Sequence, residues 1–398
     1  MPKKSPVWTY SLPTALLLMA PFDILASLAM DIYLPVVPAM PAILNTNPTV
    51  IQLTLSLYMV MLGVGQIIFG PISDRVGRRP VLICGALLFA AASFGLGASS
   101  TAPAFIAFRF LQAVGASAAL VATFATVRDV YAERPESVTI YGLFSSMLAF
   151  VPALGPIAGA VIADGLGWRA IFITLGAVTV LSILNALFRW HETRPATAAS
   201  AKQSFLPMFR SHAFWTYTLG FSTAMGTFFV FFSTAPRVLI DRAGFSELEF
   251  SLAFATAAVV MIITTRFAKR FVANWGIAGS LARGMVTLLI GAILLSVGQI
   301  LGLPSFLTFL IPMWVMAIGI VFTVSVTANG ALKEFDDMAG SAVALYFCVQ
   351  SLFVGIVGTL MVVAFQGDTA WPLVAYSSIM ALLVLAALGS LRLRSAVA

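Results

Sequence analysis

An all-α membrane protein, with twelve transmembrane helices in two pseudo-symmetric six-helix bundles, is the fold that this sequence predicts. Three observations lead there: the composition, the spacing of the apolar runs and the sidedness of the basic residues. Of 398 residues, 60% are hydrophobic and only 9% charged, with a mean hydropathy of +1.01. A soluble globule carries roughly 25% charge. A chain this apolar cannot cover itself with polar groups in water, so lipid must be part of its solvent.

A helix needs about 20 apolar residues to cross a hydrocarbon core about 30 Å thick. Twelve runs qualify: 13–36, 49–71, 80–99, 102–127, 137–163, 168–189, 213–235, 246–268, 279–301, 305–329, 339–364 and 370–391. They are continuous rather than alternating, which favours helices over a barrel. The first follows Lys3 and Lys4 but is too long for a leader and has no Ala-x-Ala exit, so it reads as a retained span. Spans two and three flank the polar string from Gly70 to Pro80, and span six ends at Arg189. The longest polar stretch, 190–212, follows and divides the spans six and six, as in a two-fold repeated transporter. The predicted organisation is a bundle over 1–195, a linker over 196–212 and a bundle over 213–398. The repeat shows weakly: Arg266, Lys269 and Arg270 follow span eight where Arg75, Arg78 and Arg79 follow span two.

Placing both termini on one side puts 18 of the 22 Lys and Arg residues on that side. Arg169, Arg237 and Arg242 fall on the other, and Arg109 alone lies mid-span, away from the soft span edges. This asymmetry predicts cytoplasmic termini in a bacterial inner membrane and an even number of spans. It also accounts for the net charge of +7 without a nucleic-acid partner, because the basic residues are scattered between apolar runs. Cys84 and Cys348 lie far apart within such runs, and the two histidines, His191 and His212, fall in the polar centre, so neither a disulfide framework nor a metal site is readable. None of Lys3, Lys4, Lys202, Lys269 and Lys333 follows a glycine, so no phosphate-binding P-loop exists. With no nucleophile–base constellation either, the sequence predicts neither an enzyme nor a bound cofactor.

Setting aside the soft span edges, two acids lie inside spans, Asp23 and Asp31, both in the first. A charge at mid-bilayer costs at least ~2.5–3.5 kcal/mol and normally faces a polar cavity. Eight helical residues amount to about 12 Å of rise and about 80° of rotation, so both can address one cavity at different depths. They are candidates for accepting protons or facing a substrate; helix capping or an interfacial position is the plainer alternative, strongest for Asp31 near Pro35. Arg109, in Phe108-Arg109-Phe110-Leu111-Gln112, is the third intramembrane charge. Burial and a nearby guanidinium act in opposite senses on the proton affinity of a carboxyl. Arg109 is therefore a candidate partner for the aspartates, or a structural lock between helices.

The string Gly70-Pro71-Ile72-Ser73-Asp74-Arg75-Val76-Gly77-Arg78-Arg79-Pro80 reads as a gating and structural loop. Its glycines, Gly70 and Gly77, permit a tight turn. Asp74 is placed to cap or to pair with an arginine, and Arg75, Arg78 and Arg79 fix topology. In span five, Gly155-Pro156-Ile157-Ala158-Gly159 combines a helix-breaking proline with small residues that allow close packing. The run Phe228-Phe229-Val230-Phe231-Phe232 in span seven could line an apolar pocket or face lipid.

At these residues the sequence resembles the major facilitator superfamily over nearly its whole length. The loop after span two looks like that superfamily's signature, Arg109 with Gln112 and Gly115 like its span-four motif, and Gly155-Pro156-x-x-Gly159 like the span-five motif of drug:proton antiporters. Met30-Asp31-Ile32-Tyr33-Leu34-Pro35, and Ala328-Asn329-Gly330 through Ala339-Gly340-Ser341, resemble the bicyclomycin/chloramphenicol resistance branch. Ala20 through Asp31, and Phe335-Asp336-Asp337, are similar to the florfenicol/chloramphenicol exporters. The resemblance implies a monomeric inner-membrane exporter that exchanges amphenicol antibiotics for protons by alternating access, with lipid as its surroundings. It implies proton coupling at Asp23 and Asp31, an electrostatic and structural role for Arg109 and Gln112, and a drug pocket for which Ser27, Met30, Tyr58, Met147 and Phe228 are candidates. Ala160 stands where many antiporters have a second glycine, which implies looser packing there. A proton-coupled importer of a small metabolite, a broader multidrug exporter and a non-transporting scaffold are the alternatives.

Overall fold

The computed structural model describes residues 8, 10–131, 136–194, 205–302, 306–335 and 338–397; the side chains of 136–139, 141–143, 145–149, 339–341, 392 and 394–397 lie outside that set. The described elements are helical. In chain order they are α1 (Leu12–Asp31), α2 (Pro48–Val76), α3 (Arg78–Ala98), α4 (Ala102–Tyr131), α5 (Glu136–Leu166), α6 (Trp168–Arg189) and α7 (His212–Pro236). One continuous run, Glu247–Leu301, is broken by the non-helical backbone of Gly276 into α8 (247–275) and α9 (277–301). Then come α10 (Ile311–Leu332), α11 (Ala339–Phe353) and α12 (Trp371–Val397), with short helical turns between several of them.

Ten of the described helical segments are long and apolar enough to cross a membrane. Glu247–Leu301, counted once among them, has 55 residues, about 80 Å at ~1.5 Å per residue. That exceeds one crossing of a core about 30 Å thick, and its bend makes it two. In α5 the described apolar part runs over Phe150–Leu166. The chain is a multi-pass membrane protein, and its helices follow the predicted spans with shifted edges.

Local chemistry explains several helix ends. Asn47 accepts a hydrogen bond from the Val50 amide at the start of α2, Ser211 does so from Phe214 at the start of α7, and Ser246 with Glu249 forms a reciprocal capping box at the start of α8. Reversals between helices are abrupt. The predicted loop over 70–80 is helical up to Val76, and Gly77 alone, at φ +119°, separates α2 from α3. Likewise Arg266, Lys269 and Arg270 lie within α8 rather than in a loop, and Gly276, at φ +67°, makes the turn into α9. A positive φ costs glycine little and other residues more, so a single residue suffices where the sequence suggests several.

The chain forms two compact units, one of residues 1–36, 41–50 and 61–202, the other of 37–40, 51–60 and 203–398. The N-terminal part of α2, residues 51–60, thus groups with the second unit, where Gln52 donates to Ser233 at 3.0 Å and Ser56 hydrogen-bonds to Thr359. The linker expected over 196–212 falls largely outside the described residues, except for a short helix, Leu206–Arg210, and its flanks.

Inside each unit the same close approach recurs. In the first, a Cβ on Gly115 of α4 would fall 2.6 Å from the carbonyl oxygen of Gly85 in α3. In the second, a Cβ on Gly319 of α10 would fall 2.8 Å from the carbonyl oxygen of Gly284 in α9. Both glycines, 85 and 284, lie eight residues after their hinge glycine, so hinge and contact repeat together. The core of the first unit is aliphatic and aromatic: Trp8, Phe22, Leu82, Ala122, Ile183 and Trp190 are among its buried members.

Candidate functional site

In the first unit α1 is surrounded by α4, α5 and α6. That packing buries Asp23 completely, and neither of its carboxyl oxygens has a hydrogen-bond partner. The large majority of buried polar groups in folded proteins are hydrogen-bonded, so this carboxyl is an exception that calls for a chemical reason. Ser27 and Met30, four and seven residues on, share its arc of the helix and are half-buried. Asp31 is also buried, at 6% exposure.

The span-five motif meets Asp31 directly. A Cβ on Gly155 would lie 2.9 Å from the Cβ of Asp31, and a Cβ on Gly159 would collide with the carbonyl of Ile32. Pro156 is buried between them. The two glycines therefore let the backbone of α5 lie directly on the end of α1. The looser packing expected beside Ala160 is not found, since Gly159 is in tight contact and Ala160 is itself buried.

Arg109 is wholly buried in α4. Its Nη1 donates to the Ala29 carbonyl at 3.0 Å and to Oε1 of Gln112 at 2.7 Å, and its guanidinium lies 4.6 Å from the ring centre of Tyr33. Gln112 in turn donates to Ser93 of α3 at 2.9 Å. The link from Arg109 to α1 thus runs through a backbone carbonyl and an aromatic face, and among the described residues no ion pair joins it to either aspartate. Tyr33, which the sequence does not mark as a partner of Arg109, also packs against Phe105 and Phe172.

The Gly77 turn is a dense charge network centred on Arg78. Arg78, 2% exposed, pairs with Asp74 at 2.6 Å and Asp129 at 2.8 Å and donates to Ser73 at 2.8 Å. Arg128 lies 3.9 Å from Asp74 and 3.6 Å from Asp129. Glu192 accepts backbone N–H bonds from Arg78, Arg79, Thr193 and Arg194 at 2.8–3.1 Å, and a Cβ on Gly77 would intrude on its carboxylate. Burial pushes the Glu192 carboxyl up, but the four amide donors outweigh it and hold it below the usual range. Arg79 also donates to the Leu187 carbonyl, and Arg194 to that of Arg75. Gly70 lies within α2 with open space where a Cβ would go, so it is not part of the turn. The sequence reading does not single out Asp129 or Glu192. An acid next to Arg128 at the end of an apolar span is the signal for the first, whereas Glu192 looks like any solvated acid in a polar stretch.

In the second unit Tyr58 is buried and Phe228 half-buried. Beyond Phe228 the run is buried rather than lipid-facing: Phe229, Phe231 and Phe232 are at most 3% exposed, and Phe231 stacks on Phe254 at 5.0 Å. Of the pocket candidates, Ser27 and Met30 lie in the first unit, Tyr58 and Phe228 in the second, and the Met147 side chain lies outside the described residues. In the second unit Arg242 pairs with Asp368. Burial of the Asp368 carboxyl is outweighed by hydrogen bonding to Arg242, which holds it below its ordinary value.

The family model for the Major Facilitator Superfamily matches residues 22–359. A chloramphenicol resistance protein of Pseudomonas aeruginosa is 49% identical over 387 residues, which is 97% of this chain and 92% of that protein. The multidrug resistance protein MdtL of Salmonella paratyphi B is 31% identical over 59% of this chain and 60% of its own length. Among solved structures, a peptide transporter, POT, crystallised with sulfate, superposes with a TM-score of 0.77 at 14% identity, covering 94% of each chain.

Proposed function

Since the chain belongs to the major facilitator superfamily, we propose that it exports amphenicol antibiotics, chloramphenicol and florfenicol, in exchange for protons across the bacterial inner membrane. It works as a monomer with both termini in the cytoplasm. The observation that carries this reading is Asp23, a wholly buried carboxyl with no hydrogen-bond partner at the centre of a bundle. The likeness to a chloramphenicol resistance protein supports the substrate class.

An isolated carboxylate in a dry interior costs many kcal/mol unless a donor or water reaches it. Loss and gain of the Asp23 proton is therefore tied to whatever opens its surroundings. In the proposed cycle a neutral drug enters from the cytoplasm or inner leaflet, and its binding competes with the proton on Asp23. The bundles rock between inward and outward access, and a periplasmic proton displaces the drug and is carried inward. A ligand shifts such an equilibrium only through its different affinity for the two states. Asp31, covered by Gly155 at the other end of the same helical arc, is the second proton-coupling group and joins that exchange to α5. Arg109 holds α4 to α1 through Ala29 and Tyr33, so that the two helices move as one.

Because the cargo is neutral, each cycle moves net charge, so transport responds to voltage as well as to the pH gradient. In proteoliposomes at equal internal and external pH, an imposed membrane potential should drive chloramphenicol transport. Transport that ignores the potential would refute the exchange, and uptake instead of extrusion in cells would favour an importer. The likeness to MdtL favours a second reading, a broader drug range, which a susceptibility panel in a pump-deficient bacterium would reveal.

A further inference from the structure

The second unit holds two buried polar atoms that have no place in the cycle above. Thr218 of α7 is 0% exposed and its Oγ1 has no hydrogen-bond partner; Gln350 of α11 is 4% exposed and its Nε2 has none. Between them lies an aromatic pair. Phe221 of α7 stacks on Tyr346 of α11 with ring centres 4.7 Å apart and planes 11° from parallel, and the Tyr346 hydroxyl is anchored on Thr327 of α10 at 2.9 Å.

The spacing orders these groups along one seam. Thr218 and Phe221 are three residues apart and Tyr346 and Gln350 four apart, so each pair shares a helix face. With three crossings between them, α7 and α11 run in the same direction. Thr218 then lies on one side of the stacked rings and Gln350 on the other, about 10 Å apart along the seam at ~1.5 Å per residue. A leftover hydroxyl, an aromatic face and a leftover amide donor, in that order, are complementary to a neutral molecule with a polar tail, an aryl ring and a hydrogen-bond acceptor at the far end of the ring.

We propose that the α7–α11 seam binds a neutral aryl compound of this kind, the ring lying against Phe221 and Tyr346, the acceptor on Gln350 and the hydroxylated tail on Thr218. This rests on the export reading and extends it. Amphenicols have this layout, with a para nitro or methylsulfonyl group as the acceptor and a propanediol amide as the tail. The recognition is uncharged, through shape and hydrogen bonds.

The test uses the full chain in proteoliposomes and measures transport rate against concentration for chloramphenicol and for its analogue with hydrogen in place of the nitro group. Gln350→Leu should raise the half-saturating chloramphenicol concentration about three- to tenfold, the range of one hydrogen bond, with little change in maximal rate. It should leave the analogue unaffected. Gln350→Met, which conserves volume, should behave alike and serves if the leucine variant fails to accumulate. Thr218→Val should raise the half-saturating concentration of both compounds, because they share the tail. Equal shifts on both compounds in the Gln350 variants, as a packing role would give, or no shift, would overturn the assignment. Absence of chloramphenicol transport by the unaltered chain would instead sink the export reading on which it rests.

Discussion

Asp23 and Arg78 lie in the same unit and are almost equally buried, at 0% and 2% exposure, yet their surroundings are opposite. Arg78 is held by Asp74, Asp129 and Ser73, whereas the Asp23 carboxyl has no hydrogen-bond partner. A guanidinium held by several partners in a dry interior fixes one geometry, and an unsatisfied group there keeps a cost that only a change of state removes. On the proposed reading, the difference separates the part of the bundle that holds its shape from the part assigned to the exchange. It also explains why two clusters of charge, equally conspicuous in an apolar sequence, should respond differently to substitution.

The comparison breaks most sharply at Arg78. Arg78→Ala leaves Asp129, 5% exposed, without its closest cation, and breaking such a pair costs about 3–5 kcal/mol. Chemical unfolding in detergent should show a loss of that size; a loss under ~1 kcal/mol, typical of an exposed pair, would remove Arg78 from the framework. Next comes the contact between α1 and α5. Gly159→Val drives a side chain into the Ile32 carbonyl and should cost about 1–3 kcal/mol, with reduced drug resistance at matched protein level. Gly70→Ala, which meets open space, should stay within about 0.5 kcal/mol of the parent. A Gly159 variant as benign as the Gly70 one would show that α5 does not depend on that close approach.

Smaller effects lie at the ends of the helices. Glu192 is held below its ordinary value in the folded chain. It therefore contributes stability that is fully present above the unfolded glutamate value, about 4.3, and is lost as pH falls through the folded value. Glu192→Gln should flatten that acid limb of a melting-temperature profile, and an unchanged limb would deny the carboxylate its capping role. Asp368→Asn, at the solvent-screened pair with Arg242, should change stability by at most ~1 kcal/mol.

The spans were legible because each crossing must be an apolar run of fixed minimum length, and the hinge was legible as a string containing Gly77. How few residues the hinge needs was not legible: 70–76 are as compatible with a loop as with a helix end until Gly77 takes the whole reversal at positive φ. The same holds at Gly276, where a basic segment that reads as a loop is helical. Among the candidate site residues, Asp23, Asp31 and Arg109 stand out because charge is rare in lipid. Their partners do not, since Arg109 rests on a backbone carbonyl and on Tyr33, and a carbonyl leaves no mark in a sequence. Asp129 and Glu192 escape a sequence reading for a related reason. Their partners lie 51 and 114 residues away, at distances that only packing brings together.

The most direct test of the exchange is to count protons. Chloramphenicol added to the purified chain in weakly buffered detergent should release protons into the medium, as binding displaces the one on Asp23. Asp23→Asn, present at normal levels and still binding drug, should release markedly fewer. Equal proton release by the variant, or drug binding to the unaltered chain with no proton released, would contradict the account.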